Sequence, residues 1–442
     1  MKLQALAYHA VRSAVRVAPK RGLLHRIRSS GQGADLARLA SLLEHARKNV
    51  PFYSSAPVNG DDVLATLSRF PVVTKSLLRG NYDRFKSLDL SARKWFVSTS
   101  GGSTGEPVTF IQDRDFMDWR IATEAFYYAQ FLRQEFNATP IVVLWGSERD
   151  LFSRFSWKAR LWSWTTQTTF LNSFRMTPAD MLRYVAIINR RRPVLVRGYA
   201  GSLYELARFV KMRGLRLYRP DAVYSSAETL SQPMRHVIEE VFGAPVFDYY
   251  GSREVGAIAG QCRRGAMHLF TFNNWVEVVD DHDRPVRPGA QGRILVTTLH
   301  NYAMPLIRYD IGDRAVVGEA CPCSPLPTLA RLTGRVTDHF LTREGTLVHG
   351  EYFTHLFYFR DWVQEFQVLQ TDMEAISVYF AAHRPPPKED IADITEKIRF
   401  VMGDGCRINW EQVEHVPRTP QGKLLFTRSL VGEDRDDRRL QA

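Results

Sequence analysis

Between residues 140 and 251 apolar runs alternate with amphipathic stretches, and this rhythm restricts the fold more than any other feature of the chain. Pro140-Ile141-Val142-Val143-Leu144-Trp145-Gly146 is a short apolar run that stops at a glycine, as a buried strand does. Helical spacing over 179–191 gives way to Pro193-Val194-Leu195-Val196-Arg197-Gly198. Helical spacing over 202–212 precedes Ala222-Val223-Tyr224-Ser225, and 232–242 precedes Val246-Phe247-Asp248-Tyr249-Tyr250-Gly251. Strands that alternate with helices predict an α/β fold with a parallel sheet covered on both faces. Ligands of such sheets bind beyond the strand C-termini. The polar clusters Ser225-Ser226-Ala227-Glu228 and Tyr250-Gly251-Ser252-Arg253-Glu254 fall at that edge.

The flanks complete the domain plan. Residues 1–90 read as a helical N-terminal segment, with Leu36, Leu39, Leu42 and Leu43 at helical spacing and Thr74 as a helix cap. From about 265 to 335 the pattern turns to short strands (276–279, 292–298, 314–317), which predicts a β-rich subdomain completing a core of 91–335. Residues 336–442 are enough for a small separate α+β domain, with strands at 366–370 and 376–380 and a helix at 391–402. That domain closes on the turn-forming Pro417-Arg418-Thr419-Pro420-Gln421-Gly422-Lys423, and the charged tail from Gly432 is expected to fray.

One loop stands out ahead of this sheet. Ser98-Thr99-Ser100-Gly101-Gly102-Ser103-Thr104-Gly105-Glu106-Pro107 lies between the apolar pieces Trp95-Phe96-Val97 and Val108-Thr109-Phe110-Ile111. Glycines let backbone N–H groups converge on an anion, and hydroxyls add rotatable donors, so a triphosphate would suit it. The same composition also makes an ordinary hairpin turn. No Gly-Lys-Ser/Thr closes the loop, so it is not the common nucleotide-binding P-loop.

Charge and cysteine content narrow the setting. The 59 Lys+Arg against 47 Asp+Glu leave a net charge of +12, but the basic residues are scattered. No basic stripe interleaved with aromatics marks a nucleic-acid partner. Four cysteines are few for a disulfide-stapled protein, which predicts a reducing, cytoplasmic setting. No run of about twenty apolar residues predicts a membrane span. The basic first thirty residues could lie on a membrane surface or pack on the protein's own body. Cys262 with His268 (C-x5-H) and Cys321 with Cys323 (C-x-C) offer three thiolates and an imidazole for a structural zinc ion. The alternative is buried cysteines plus a surface Cys-Pro-Cys turn. Cys406 is expected to pack in the C-terminal domain.

Five landmarks in one order, 98–107, 226–228, 250–254, 308–313 with Gly334-Arg335, and Gly422-Lys423, resemble those of the acyl-adenylate-forming enzymes. The likeness is to the phenylacetate–CoA ligase branch, with coenzyme F390 synthetase and the capsule-biosynthesis CapK-like relatives. It spans roughly residues 98 to 423. The resemblance implies a large adenylate-forming N-terminal domain and a small mobile C-terminal lid. It also implies roles for individual residues. Ser98, Thr99, Ser100, Gly101, Gly102, Ser103, Thr104 and Gly105 would hold the β- and γ-phosphates of ATP. Ser226, Ala227 and Glu228 would lie along adenine, with Tyr250 and Gly251 beside them and Tyr250 stacking there. Ser252 would touch the α-phosphate, and Glu254 would hold Mg²⁺. Asp313 would accept the ribose hydroxyls with Arg335 as its partner, and Lys423 would arrive with the lid as the carboxylate attacks. Some of these relatives carry zinc at similar cysteines.

The implied activity is ATP- and Mg²⁺-dependent conversion of a carboxylic acid to its adenylate, followed by transfer to CoA, or to an amine, sugar or cofactor. A catalytically silent nucleotide binder is the alternative of a different class. Two departures stand out. Thr337, followed by Asp338, occupies the place of the usual hinge aspartate, and 144–150 is charged (Glu148, Arg149, Asp150) where phenylacetate binders are aromatic and glycine-rich. That charge predicts a more polar acid or a charged entrance, with Trp145, Tyr199 and Tyr249 as pocket walls.

Overall fold

The computed structural model describes residues 21–29, 31–56, 62–100, 108–134, 139–146, 167–333, 339–357, 360, 362–417 and 425–431. The described residues begin with helices α1 (Arg21–Arg28), α2 (Gln32–Asn49), α3 (Val63–Leu67) and α4 (Lys75–Gly80). Leu39, Leu42, Leu43 and Ala46 form the buried face of α2, as their spacing requires. Thr74 caps α4, its Oγ1 accepting the Leu77 N–H at 3.2 Å. Strands β1 (Trp95–Thr99) and β2 (Thr109–Asp113) follow as an antiparallel hairpin. Asp113 ends β2 and caps α5 (Arg114–Tyr127), its Oδ1 accepting from Phe116 N at 2.9 Å. A π-helical turn, Tyr128–Leu132, extends α5.

The expected alternation then appears: β3 (Ile141–Leu144), β4 (Thr168–Leu171), β5 (Arg175–Met176), α6 (Pro178–Arg191), β6 (Leu195–Tyr199), α7 (Ala200–Met212), β7 (Ala222–Ser226), α8 (Gln232–Phe242) and β8 (Val246–Ser252). The first helix of this set begins in a capping box between Thr177 and Asp180. β4, β3, β6, β7 and β8 lie side by side and parallel. Val142, Leu144, Val196 and Val223 of these strands bury one face under α6, α7 and α8. Ile141, Val143, Leu195, Tyr224 and Tyr249 bury the other under α5.

The strand-rich stretch comprises β9 (Gly256–Gln261), β10 (Met267–Leu269), β11 (Asn274–Val279), β12 (Gln291–Thr298), β13 (Tyr309–Val317) and β14 (Thr328–Thr333). It continues the same sheet instead of folding as a body of its own. β9 turns back antiparallel on β8, and the order runs β11-β12-β13-β14-β10-β9-β8-β7-β6-β3-β4 through eleven strands. The turn after Ser252 is short enough to pair successive strands, so the ladder never breaks.

Past it come β15 (His339–Leu341), β16 (Leu347–His349), α9 (Gly350–Phe357), β17 (Val363–Asp372), β18 (Ala375–Ala382), α10 (Lys388–Met402), β19 (Arg407–Gln412) and β20 (Thr427–Ser429). The last four strands form a sheet in the order β19-β18-β17-β20. Trp362, Phe366, Val368, Val378, Ile394 and Ile398 fill its core, and Cys406 is buried there as expected. β16 pairs with β5, Val348 opposite Arg175, and Phe174 contributes to the C-terminal core. That strand pair makes a three-stranded sheet, β15-β16-β5, and ties the last hundred residues to the segment between β4 and α6.

Candidate active site and a cysteine–histidine cluster

The C-terminal ends of β6, β7 and β8 carry the polar residues that the alternation predicted. Ser226 is buried at the end of β7 and its Oγ donates to the Tyr249 carbonyl at 3.1 Å, joining two neighbouring strand ends. The chain leaves β7 through Ala227, whose φ of 71° is left-handed, a conformation that costs an alanine energy and turns the backbone sharply. Glu228 follows and accepts the Gly201 N–H with Oε2 at 2.7 Å, satisfying one open donor at the head of α7.

Tyr250 and Asp313 meet across the curled sheet: the Tyr250 hydroxyl donates to Asp313 Oδ2 at 2.8 Å. Gly251 sits where a side chain is excluded, since a Cβ there would come within 2.5 Å of the Gly256 carbonyl oxygen. The turn between them brings Glu254 inward. Its side chain is 5% exposed, lies 3.6 Å from Lys75 Nζ and accepts a long hydrogen bond from the Tyr309 hydroxyl at 3.4 Å. Gln112 of β2 donates to the Arg253 and Glu254 carbonyls at 2.8 and 3.2 Å. The stem of the Ser/Thr/Gly hairpin is therefore clasped to the Glu254 turn. Within that stem Ser98 and Thr99 pair with Phe110 and Thr109, and Ser100 Oγ accepts from Val108 N at 2.8 Å. Gly101 through Gly105 lie outside the described residues, as do Arg335, Thr337, Asp338, Lys423 and the charged 147–150.

Of the 308–313 landmark, Asp313 and Tyr309 reach the site. Arg308 is 3% exposed and binds the Ser68, Phe70 and Asp283 carbonyls and Glu277, so it anchors the N-terminal helices. Trp145 stacks on Tyr199, ring centroids 4.3 Å apart, and the Tyr199 hydroxyl donates to the Gly146 carbonyl. Tyr249 packs among Tyr127, Tyr224 and Phe270. Lys75 and Gln112 were not singled out by sequence reasoning. Both arrive from distant elements, and Lys75 was visible only as the residue after a helix cap.

The cysteines converge as their types suggested. Cys262 follows β9, His268 lies in β10, and Cys321 and Cys323 precede β14. The four ligand atoms all lie within 4.8 Å of one another. His268 Nε2 is 3.2 Å from Cys323 Sγ, and its Nδ1 is 3.2 Å from the Leu326 carbonyl, which fixes the ring and leaves Nε2 as the ligating atom. Phe131 of the π-helical turn stacks on the same ring. Three thiols and one imidazole at this spacing suit a tetrahedral, closed metal shell.

Comparison with known proteins bears on the fold and on the relatives of the chain. The description of the CapK C-terminal domain matches residues 340–429. Protein CapK of Staphylococcus aureus is 24% identical over 406 residues, covering 88% of this chain and 87% of that protein. A phenylacetate-coenzyme A ligase of Escherichia coli is 28% identical over 339 residues, 71% of this chain and 72% of that one. A crystal structure of 2-hydroxyisobutyryl-CoA ligase with 2-HIB-AMP and CoA superposes with a TM-score of 0.60 at 19% identity, covering 93% and 92% of the two chains. The fold is thus that of the adenylate-forming ligases, and the sequence relatives mark the chain as a ligase enzyme. In sequence the chain is a homologue of CapK and of the phenylacetate–CoA ligases. Among the described residues no helix is long and apolar enough to cross a membrane.

Proposed function

We propose that the protein uses ATP and Mg²⁺ to convert a carboxylic acid into its acyl-adenylate, releasing pyrophosphate, and then passes the acyl group to CoA. One observation carries the reading: the Tyr250–Asp313 hydrogen bond and the buried Glu254 meet at the strand C-termini, beside the stem of the Ser/Thr/Gly hairpin. Asp313 would bind the ribose hydroxyls, with Tyr250 oriented beside the adenine by the same hydrogen bond. Ser226-Ala227-Glu228 would line the base, Ser252 the α-phosphate, and the 98–105 hairpin the β- and γ-phosphates.

The acid's carboxylate oxygen attacks the α-phosphorus, and the bond to the bridging oxygen breaks to release pyrophosphate. The nucleophile is already ionised, so the chain's task is positioning and charge neutralisation. Glu254 suits Mg²⁺ as a hard oxygen ligand, and the ion supplies neutralisation of phosphate charge. Lys75, 3.6 Å from that carboxylate, holds a positive charge at the same place. Lys423 and Arg335 would complete the site from the C-terminal side. Cys262, His268, Cys321 and Cys323 fit a structural zinc that clamps the β9–β10 hairpin to the segment before β14, away from the chemistry. The setting is expected to be cytoplasmic.

The second reading keeps the adenylation step and passes the acyl group to an amine, sugar or cofactor instead of CoA. The test is pyrophosphate release with ATP and Mg²⁺ across a panel of acids, with and without CoA. Thioester formation supports the first reading. Adenylate formed without thioester supports the second, and ATP binding without pyrophosphate release would leave a silent nucleotide binder.

A further inference from the structure

Strands β3, β6, β7 and β8 run parallel, so the end opposite the candidate site is where these strands begin and α6, α7 and α8 stop. Basic residues that are scattered in the sequence gather at this end. Arg190 and Arg191 close α6 and Arg192 follows it, all three exposed. Arg213, Arg216 and Arg219 are exposed along the segment that joins α7 to β7. Asn189 ties the two groups together: its Nδ2 donates to the Arg216 carbonyl at 2.9 Å, and its Oδ1 accepts from Tyr218 N at 2.6 Å. Gln134 Nε2 donates to Asp221 Oδ2 at 3.0 Å, which brings the exposed Arg133 to the same rim. None of these arginines has a carboxylate partner among the described residues. The neighbouring acids Glu205, Glu239 and Glu240 are held by Arg208, Arg235 and Lys211, at 3.3, 3.6 and 2.7 Å.

The needs of the fold account for only part of this cluster. Arginines in the last turn of a helix meet its negative end, which explains Arg190 and Arg191. Arg192 and Arg133 instead take the left-handed conformation, with φ of 47° and 57°, where a glycine would follow a helix without strain. Arg213, Arg216 and Arg219 lie past the end of α7. Clustered like charges repel one another across a Debye length of about 8–10 Å, so a counter-charge from outside would stabilise the rim. Met212 stands among the arginines and is 78% exposed. Cations around an exposed apolar side chain suit the boundary between phosphate headgroups and acyl chains.

We propose that this rim docks on an anionic phospholipid surface, with the arginines on headgroup phosphates and Met212 entering the layer beneath them. Docking there leaves the strand C-termini, and the candidate site with them, turned away from the membrane. The inference is independent of the adenylation reading. A nucleic acid would use the same arginines but would gain nothing from an exposed methionine.

The test is flotation of the full-length protein with titrated vesicles, either phosphatidylcholine alone or phosphatidylcholine mixed with phosphatidylglycerol. Binding is expected to the anionic vesicles only, and it should weaken as salt is raised. Arg213→Glu, Arg216→Glu and Arg219→Glu together should cut binding about 100-fold or more, at about fivefold per cation lost, with the thermal midpoint unchanged. Arg190→Gln with Arg191→Gln should cut it about 10-fold or more, and this pair carries the test should the triple variant fail to fold. Met212→Ser should weaken vesicle binding severalfold. The basic N-terminal segment is the competing lipid contact, so Arg12→Gln, Arg16→Gln and Lys20→Gln together should weaken binding less than either rim variant. Equal binding to neutral vesicles, binding to neither kind, or loss with the N-terminal variant and not with the rim variants would overturn the proposal. Vesicle binding untouched by Met212→Ser would contradict entry into the lipid layer and remove a membrane as the partner. An oligonucleotide that binds more tightly than the vesicles, and is lost with the same three arginines, would overturn it in favour of a nucleic acid.

Discussion

Tyr250 and Asp313 stand 63 positions apart and still share a 2.8 Å hydrogen bond. In isolation neither is remarkable, a strand tyrosine and an aspartate after a glycine, and what made them legible was their place in an ordered series of landmarks. If the pair orients the nucleotide, Asp313→Asn and Tyr250→Phe should each raise the KM for ATP by roughly 5- to 100-fold, from the loss of one charge-assisted hydrogen bond. The double variant should lose less than the product of the two, since either change breaks the same contact. Steady-state kinetics with ATP varied checks this, and additive losses would mean that the two residues act separately. Lys75 and Gln112 were not legible as site residues. Lys75 reaches Glu254 from a helix near the N-terminus, and Gln112 reaches the same turn over 141 positions. A single sequence contains no local signal for such meetings.

Periodicity reports elements well where one face is buried, so β3, β6, β7 and β8 and the helices between them were legible, whereas β4 and β5, short and without a repeating pattern, were not. What it could not give was the joining of the strand-rich stretch to the parallel strands. Edge pairing of β9 with β8 depends on a tight turn and on backbone hydrogen bonds, which no side-chain pattern encodes. The cysteine–histidine cluster lies within that joined region. Removing a bound zinc with a chelator, or Cys323→Ser, should lower the thermal midpoint by several degrees and expose thiols to labelling, with about one zinc per chain lost by elemental analysis.

A second packed element is sensitive to pH. His300 stacks on Trp119 at 3.7 Å, its Nε2 lies 2.8 Å from the Phe272 carbonyl, and Arg26 and Arg38 stand over the same indole. Burial first, and the two arginines after it, push its pKa down to about 3. A folded value below the unfolded one gives stability that is present above pH 6.5 and is lost as pH falls toward 3, by at most about 1.4 kcal/mol per pH unit. Asp248 works the other way. Burial raises it to about 6, so its contribution declines as pH rises from the ordinary carboxylate range through 6. The two oppose each other between those limits. Urea midpoints against pH should therefore show a flatter acid limb for His300→Phe than for the natural protein, whereas parallel curves would remove His300 as the titrating group.

At the scale of the molecule, the class follows from a sheet whose parallel half presents polar strand ends and from relatives that span most of the chain. The link between its two parts was invisible to sequence reasoning, because β5 and β16 are two and three residues long. Lys423 belongs to the C-terminal part. If Lys423 neutralises charge as the carboxylate attacks, Lys423→Ala should lower pyrophosphate release by about 100-fold or more while sparing thioester formation from supplied acyl-adenylate, because charge stabilisation would be lost from the first step alone. Equal loss in both steps would argue that the lysine holds the fold. The most direct measurement is acid-dependent pyrophosphate release with ATP and Mg²⁺, repeated with and without CoA. The expected result is release that requires an acid, accompanied by an acyl-adenylate and, once CoA is added, by a thioester. Tight ATP binding with no pyrophosphate released by any acid would contradict the assignment.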